Sequence, residues 1–102
     1  MSAIWQIKIH KLVFLEDFKS ISHPDQKIIL KDIRKKLTLN PMDYGKPLLG
    51  ALKGYWRLRV GDYRVIYKIN EDIIEVSVIK VGIRRDEEVY IKMLSRLKKL
   101  QN

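Results

Sequence analysis

The chain has 102 residues and no cysteine; 46% of it is hydrophobic and 32% charged, with 21 lysines and arginines against 12 acidic residues for a formal charge of +9. This balance excludes a disordered chain and predicts one globular domain over residues 1–102, able to bury roughly two thirds of its unfolded surface without staples. The lack of cysteine excludes a disulfide framework, thiolate metal sites and a cysteine nucleophile. No run approaches the ~18 apolar residues of a membrane span and the N-terminus carries no secretory pattern, so no membrane partner and a cytoplasmic location are expected. The basic excess suits nucleic acid or an acidic protein.

Ile4, Trp5, Ile7 and Ile9 suggest a short first strand. From Lys11 to Ile21, Leu12, Leu15 and Phe18 recur with Val13 and Phe14 at helical spacing, until Ser22-His23-Pro24 interrupts them. A second helix starts there, with Pro24 in its first turn where a missing N–H is harmless, and sets Ile29, Ile33 and Leu37 on one face beside Leu30. It ends before Asn40-Pro41, because the residue preceding a proline avoids the helical region. Gly45, Pro47, Gly50 and Gly54 then punctuate a loop with a short extended piece.

Tyr55 to Val60, Tyr63 to Asn70 and Ile73 to Val81 read as a meander with tight turns at Gly61-Asp62 and Asn70-Glu71-Asp72. Alternation puts Trp56, Leu58 and Val60 on one face and Tyr55, Arg57 and Arg59 on the other; on the next strand Tyr63, Val65, Tyr67 and Ile69 oppose Arg64, Ile66 and Lys68. The helical hairpin should cover the apolar face and leave the basic one open. After Gly82, Asp86 to Leu100 carries Tyr90, Met93, Leu94 and Leu97 at helical spacing, with acids at its start and Lys98 and Lys99 at its end to complement the dipole. The expected class is therefore α+β: β-α-α-β-β-β-α, an antiparallel-rich twisted sheet with a hairpin on one face and the C-terminal helix near the open basic face.

Little in the chain matches familiar acid–base or metal chemistry. His10 and His23 read as capping or solvent-exposed residues, Glu16-Asp17 as helix-surface residues, and the acids from Asp86 to Glu88 as a helix start. No cofactor or metal site is expected. What remains is a constellation of Arg57, Arg59 and Arg64 from adjacent strands, joined by Arg84, Arg85 and Tyr90. Like charges opposite one another usually destabilise a sheet. Guanidinium forks match phosphate bidentately and stay charged, so an anionic ligand, a phosphate above all, would explain the set. Surface pairing with Asp62, Asp86 or Glu88 is the competing explanation.

The hairpin end and strands, LTLNPMDYGKPLLGALKGYWRLRVGDYRVIYKI followed by IEVSVIKVGIRRDEEVY, resemble the RelE/ParE superfamily of toxins from toxin-antitoxin systems, and most closely its RelE branch. The resemblance implies the same element order and an mRNA interferase: a metal-independent endoribonuclease that enters the ribosomal A site and cuts the codon there. It also implies a cognate antitoxin, RelB-like or of another type. Arg64 in GDYR matches the family arginine at the scissile phosphate, Arg84 in GIRR the one assigned to phosphate stabilisation or leaving-group protonation, and Tyr90 in EEVY the tyrosine that stacks on or helps activate the nucleotide. Arg57, Arg59, Lys53 and Arg85 are the expected further substrate contacts. Arg57 and Arg59 fall where other members often carry lysines, and arginine is a poor base. Tyr90 is then the leading candidate for general base, ahead of Lys53 and Lys80. The ParE branch implies instead an inhibitor of DNA gyrase, and a catalytically degenerate binding protein is a third reading.

Overall fold

A computed structural model describes residues 4–83 and 88–101. Strand β1 (Gln6–Ile9) leads into a short helix α1 (Lys11–Leu15), which His10 caps by accepting the Leu12 N–H at its Nδ1, 3.1 Å away. The helix expected to reach Ile21 stops early, and a 3₁₀ turn (Asp17–Ser20) follows. Its tighter geometry directs Asp17 and Phe18 inward. Ser22 caps α2 (His23–Asp32), with Pro24 in the first turn, and exposed His23 plays no further part.

The helix runs on as one π turn (Ile33–Leu37). The i→i+5 turn holds more residues than an α turn, so Ile29, Ile33 and Leu37, four apart, stay in line and are all fully buried. A one-turn helix α3 (Pro41–Tyr44), a two-residue strand β2 (Lys46–Pro47) and a 3₁₀ turn (Gly50–Leu52) occupy the expected loop. Strands β3 (Trp56–Val60), β4 (Tyr63–Asn70) and β5 (Glu75–Ile83) form the meander, and α4 (Glu88–Gln101) closes the chain. The last strand begins two residues later than expected, because Ile74 takes a left-handed φ of 50° and lengthens the turn, and it runs past Gly82 to Ile83.

The sheet order is β1-β5-β4-β3-β2, with β1 parallel to β5 and every other pair antiparallel. One core lies between the hairpin and the sheet: Val13, Phe18, Ile21, Ile29, Ile33 and Leu37 meet Leu58, Val60, Val65, Tyr67, Val76 and Val78. On the opposite face, Val89 and Met93 of α4 pack on Leu52 and Ile66, with Tyr55, Tyr90 and Leu97 at the margin. The face expected to stay open is thus partly covered, α4 seating over β4 and β5 because Ile66 offers an apolar residue among the basic ones.

Part of the GKPL segment is explained by one contact. The Tyr67 hydroxyl, buried in the first core, donates to the Pro41 carbonyl at 2.5 Å. Burial pushes its pKa well above the usual phenol value. Gly45 lies against this ring, where an added methyl would stand 1.7 Å from the hydroxyl oxygen and 2.9 Å from the Arg57 carbonyl. Gly45→Ala is therefore expected to destabilise the fold by about 1–3 kcal/mol, the usual range for overpacking, measured as a lower urea midpoint at unchanged slope.

Candidate nucleic-acid interface

The register builds the basic face row by row. Lys46, Arg57, Ile66 and Lys80 stand opposite one another across β2 to β5, and Arg59, Arg64 and Gly82 form the next row. Arg59 and Arg64 are therefore direct cross-strand partners, the like-charge juxtaposition that costs stability. The turn offsets that cost. Arg64, only 4% exposed, curls back so that its Nη1 donates to the carbonyls of Gly61 at 3.1 Å and Tyr63 at 2.9 Å.

Those carbonyls are themselves held in place. Tyr63 donates its hydroxyl to Asp25 Oδ2 at 2.7 Å, tying the start of β4 to the first turn of α2. That hydrogen bond is the main cause of the raised Tyr63 pKa, with desolvation and the charges of Asp25 and Asp62 adding to it. Arg64 thus sits on a braced turn. Arg59 is exposed, Arg57 half-buried beside Ile66, and Lys53 exposed just before β3.

Tyr90 is half-buried on the first turn of α4, in the same apolar cluster as Ile66. Its helix approaches closely because residue 82 has no side chain: a Cβ there would lie 2.8 Å from Val89 Cγ2. Arg57, Arg59 and Arg64 therefore share one sheet face with the helix of Tyr90 packed upon it. Arg84 and Arg85, together with Asp86 and Glu87, lie outside the described residues.

Two readings of the sequence are corrected. Asp17 is no helix-surface residue: its side chain is 1% exposed and accepts from Lys80 Nζ at 2.6 Å, from the Val81 N–H at 2.9 Å and from both Nη atoms of Arg96 at 2.8 Å. Lys80 is consequently an ion-pair partner buried at the sheet edge, too committed to serve as a general base. Nothing in the sequence singled out Arg96. A helical Arg facing the apolar side between Met93 and Leu97 was the one available sign.

A cleft of about 490 Å³ opens beside this cluster, between the 3₁₀ turn and α4. Glu16, Asp17 and Glu88 line it together with Lys80 and Lys92, so its acids oppose phosphate binding and the arginine rows remain the better anion site. Among the described residues no group of three or more histidines, aspartates or glutamates is placed to hold a metal ion, and no helix is long and apolar enough to cross a membrane.

Comparison with known proteins agrees with this architecture. A family profile described as the ParE toxin of type II toxin-antitoxin system, parDE, matches residues 7–88. Two Mycobacterium tuberculosis proteins are similar over part of the chain. Toxin RelG is 36% identical over 50 residues, 49% of this chain and 58% of its own length. Toxin RelE is 42% identical over 45 residues, 44% of this chain and 46% of its own length. The matched segments thus span about half the length of these relatives. The toxin-antitoxin complex RelBE2 of the same organism shares the fold at 23% identity and a TM-score of 0.75, covering 82% of this chain and 95% of that one. With all of the sheet except Gln6 inside the profile match, the chain belongs to the ParE toxin family of type II toxin-antitoxin systems, within the RelE/ParE superfamily.

Proposed function

We propose that this toxin is a ribosome-dependent mRNA endonuclease of the RelE kind, acting in the cytoplasm on the codon in the ribosomal A site without a metal. The carrying observation is the register that gathers Arg57, Arg59 and Arg64 on one face, beneath the helix bearing Tyr90. In the proposed reaction the ribose 2′-oxygen attacks the adjacent phosphorus and the bond from phosphorus to the 5′-oxygen breaks, leaving a 2′,3′-cyclic phosphate and a 5′-hydroxyl. Negative charge builds on the phosphate oxygens as this happens. Fixed guanidiniums stabilise that charge without reorganising, and preorganised stabilisation of this kind supplies most of the rate enhancement in many enzymes. Arg64 faces that charge; Arg84 assists it or protonates the leaving oxygen; Arg57, Arg59, Lys53 and Arg85 hold the flanking backbone.

The same basic face suits a small antitoxin whose acidic or amphipathic segment would cover it, with salt-sensitive association. A second reading, gyrase inhibition, draws support from the ParE profile match. Cleavage mapping on translated mRNA, run beside an assay for gyrase-dependent DNA breaks, separates the two. Cuts within A-site codons are expected, far faster on ribosomes than on naked RNA; intact mRNA with broken DNA would decide for gyrase.

Tyr90 has two candidate roles with different signatures. If it removes the 2′-proton, Tyr90→Phe should be slow and lose the alkaline dependence of the rate; if it stacks, Phe should stay active and Ala should not. Single-turnover cleavage across pH reads the difference.

A further inference from the structure

One buried cluster of charges takes no part in the proposed chemistry. Asp17 lies with Lys80 and Arg96 where the 3₁₀ turn, β5 and α4 meet. Apolar residues of similar volume hold such a site as well as ions do, or better, because they carry no desolvation penalty. Stability alone therefore leaves the cluster unexplained. What ions add is direction.

Apolar packing gives α4 little of it. Val89, Met93 and Leu97 repeat every four residues along the face laid on Leu52 and Ile66, so a shift by one helical turn, about 5.4 Å, sets apolar on apolar again. Arg96 removes that freedom. Its Nη1 donates to Asp17 Oδ2 at 2.8 Å and to the Ile79 carbonyl at 3.0 Å, and its Nη2 to Asp17 Oδ1 at 2.8 Å and Glu16 Oε1 at 3.0 Å. Asp17 is itself fixed to the sheet by the Val81 N–H and Lys80. Hydrogen bonds of these lengths are lost by about 3.6 Å, so a fork tied to two points of β5 accepts one placement of the helix.

Tyr90 rides on that placement. It stands about 9 Å of helix before Arg96, packed in the Leu52 and Ile66 cluster whose Ile66 is the cross-strand partner of Arg57. We propose that Asp17 and Arg96 set the register of α4 on the sheet and so hold Tyr90 beside the arginine rows, as positioning residues for cleavage. This rests on the nuclease reading above and adds to it a pair that acts through Tyr90. A misplacement of about 1 Å at a reacting group can cost a hundredfold in rate, and the slip open to a released helix is larger.

The test is built on D17L/K80M/R96M, which exchanges the cluster for apolar packing, with urea unfolding to show that it is folded. Single-turnover cleavage on programmed ribosomes is followed against ribosome concentration for wild type, the triple variant and each of them carrying Tyr90→Ala. The triple variant should keep its half-saturation within about twofold and lose roughly ten- to a hundredfold in saturated rate. Tyr90→Ala should slow wild type but hardly the triple variant, because a ring already out of place has little left to lose. R96K, which keeps the charge and gives up the planar fork, carries the same comparison where the triple variant is unfolded at the assay temperature. NMR of ring-labelled tyrosine reads the placement without substrate: the Tyr90 signals should move toward those of an unfolded chain in the triple variant, while those of Tyr67, in the opposite core, stay. A wild-type saturated rate in the folded variant, a full Tyr90→Ala effect within it, or unmoved Tyr90 signals overturns the proposal. Should wild type leave mRNA intact while the Tyr90 signals move as expected, the register assignment stands and the nuclease reading falls.

Discussion

Arg64→Ala is expected to slow single-turnover cleavage of ribosome-bound mRNA by roughly two to three powers of ten, the effect of removing one preorganised transition-state donor. The structure sharpens this expectation. Arg64 is held by the carbonyls of Gly61 and Tyr63 on a turn braced through Asp25, so its charge is delivered by a rigid element. Arg64→Lys should recover only part of the rate, since an ammonium lacks the planar fork that reaches both carbonyls and phosphate. Arg64 is buried and its two hydrogen bonds are partly so, so Arg64→Ala should also cost about 1–3 kcal/mol of stability. A variant still folded at the assay temperature that cleaves a hundredfold more slowly supports the assignment. Near wild-type cleavage by Arg64→Ala would make the residue a turn brace and nothing more.

Asp17→Ala should produce the largest loss of stability in the molecule. The carboxylate joins four groups: the Lys80 ammonium, both nitrogens of the Arg96 fork and the Val81 N–H, while Arg96 also donates to the Ile79 carbonyl and to Glu16. Removing it takes the ion-pair partner from Lys80, whose side chain is 10% exposed, and leaves Arg96, 4% exposed, with only Glu16 and the Ile79 carbonyl. Breaking a buried pair in this way costs about 3–5 kcal/mol, and a domain of this size loses about 4–8 °C of melting temperature per kcal/mol. Replacing the whole cluster, as in D17L/K80M/R96M, should restore most of the loss, because apolar packing substitutes for a buried ion network better than a fragment of one does. Denaturant unfolding of the single and triple variants makes the comparison. An Asp17→Ala protein as stable as wild type would show that α4 is held by Val89, Met93 and Leu97 alone.

That cluster marks where the sequence stops being informative. The strand faces, the second helix of the hairpin and the amphipathic C-terminal helix are all local: each is set by side chains two to four residues apart competing for the same core, and each was legible from periodicity, whereas the early end of α1 at Leu15 was not. The gathering of Arg57, Arg59 and Arg64 was legible for the same reason, since alternation on two strands joined by a tight turn leaves few registers open. Asp17 and Arg96 were not, because they are 79 residues apart in sequence and carry residue types that usually sit in water. Only the folded chain shows that β1, pairing in parallel with Glu75 to Val78, leaves the rest of the β5 edge open, and that Asp17 closes that edge by accepting the Val81 N–H. A charge becomes a core residue there because an unpaired backbone N–H, a lysine and an arginine converge on it, and such convergence across distant segments is decided by tertiary packing.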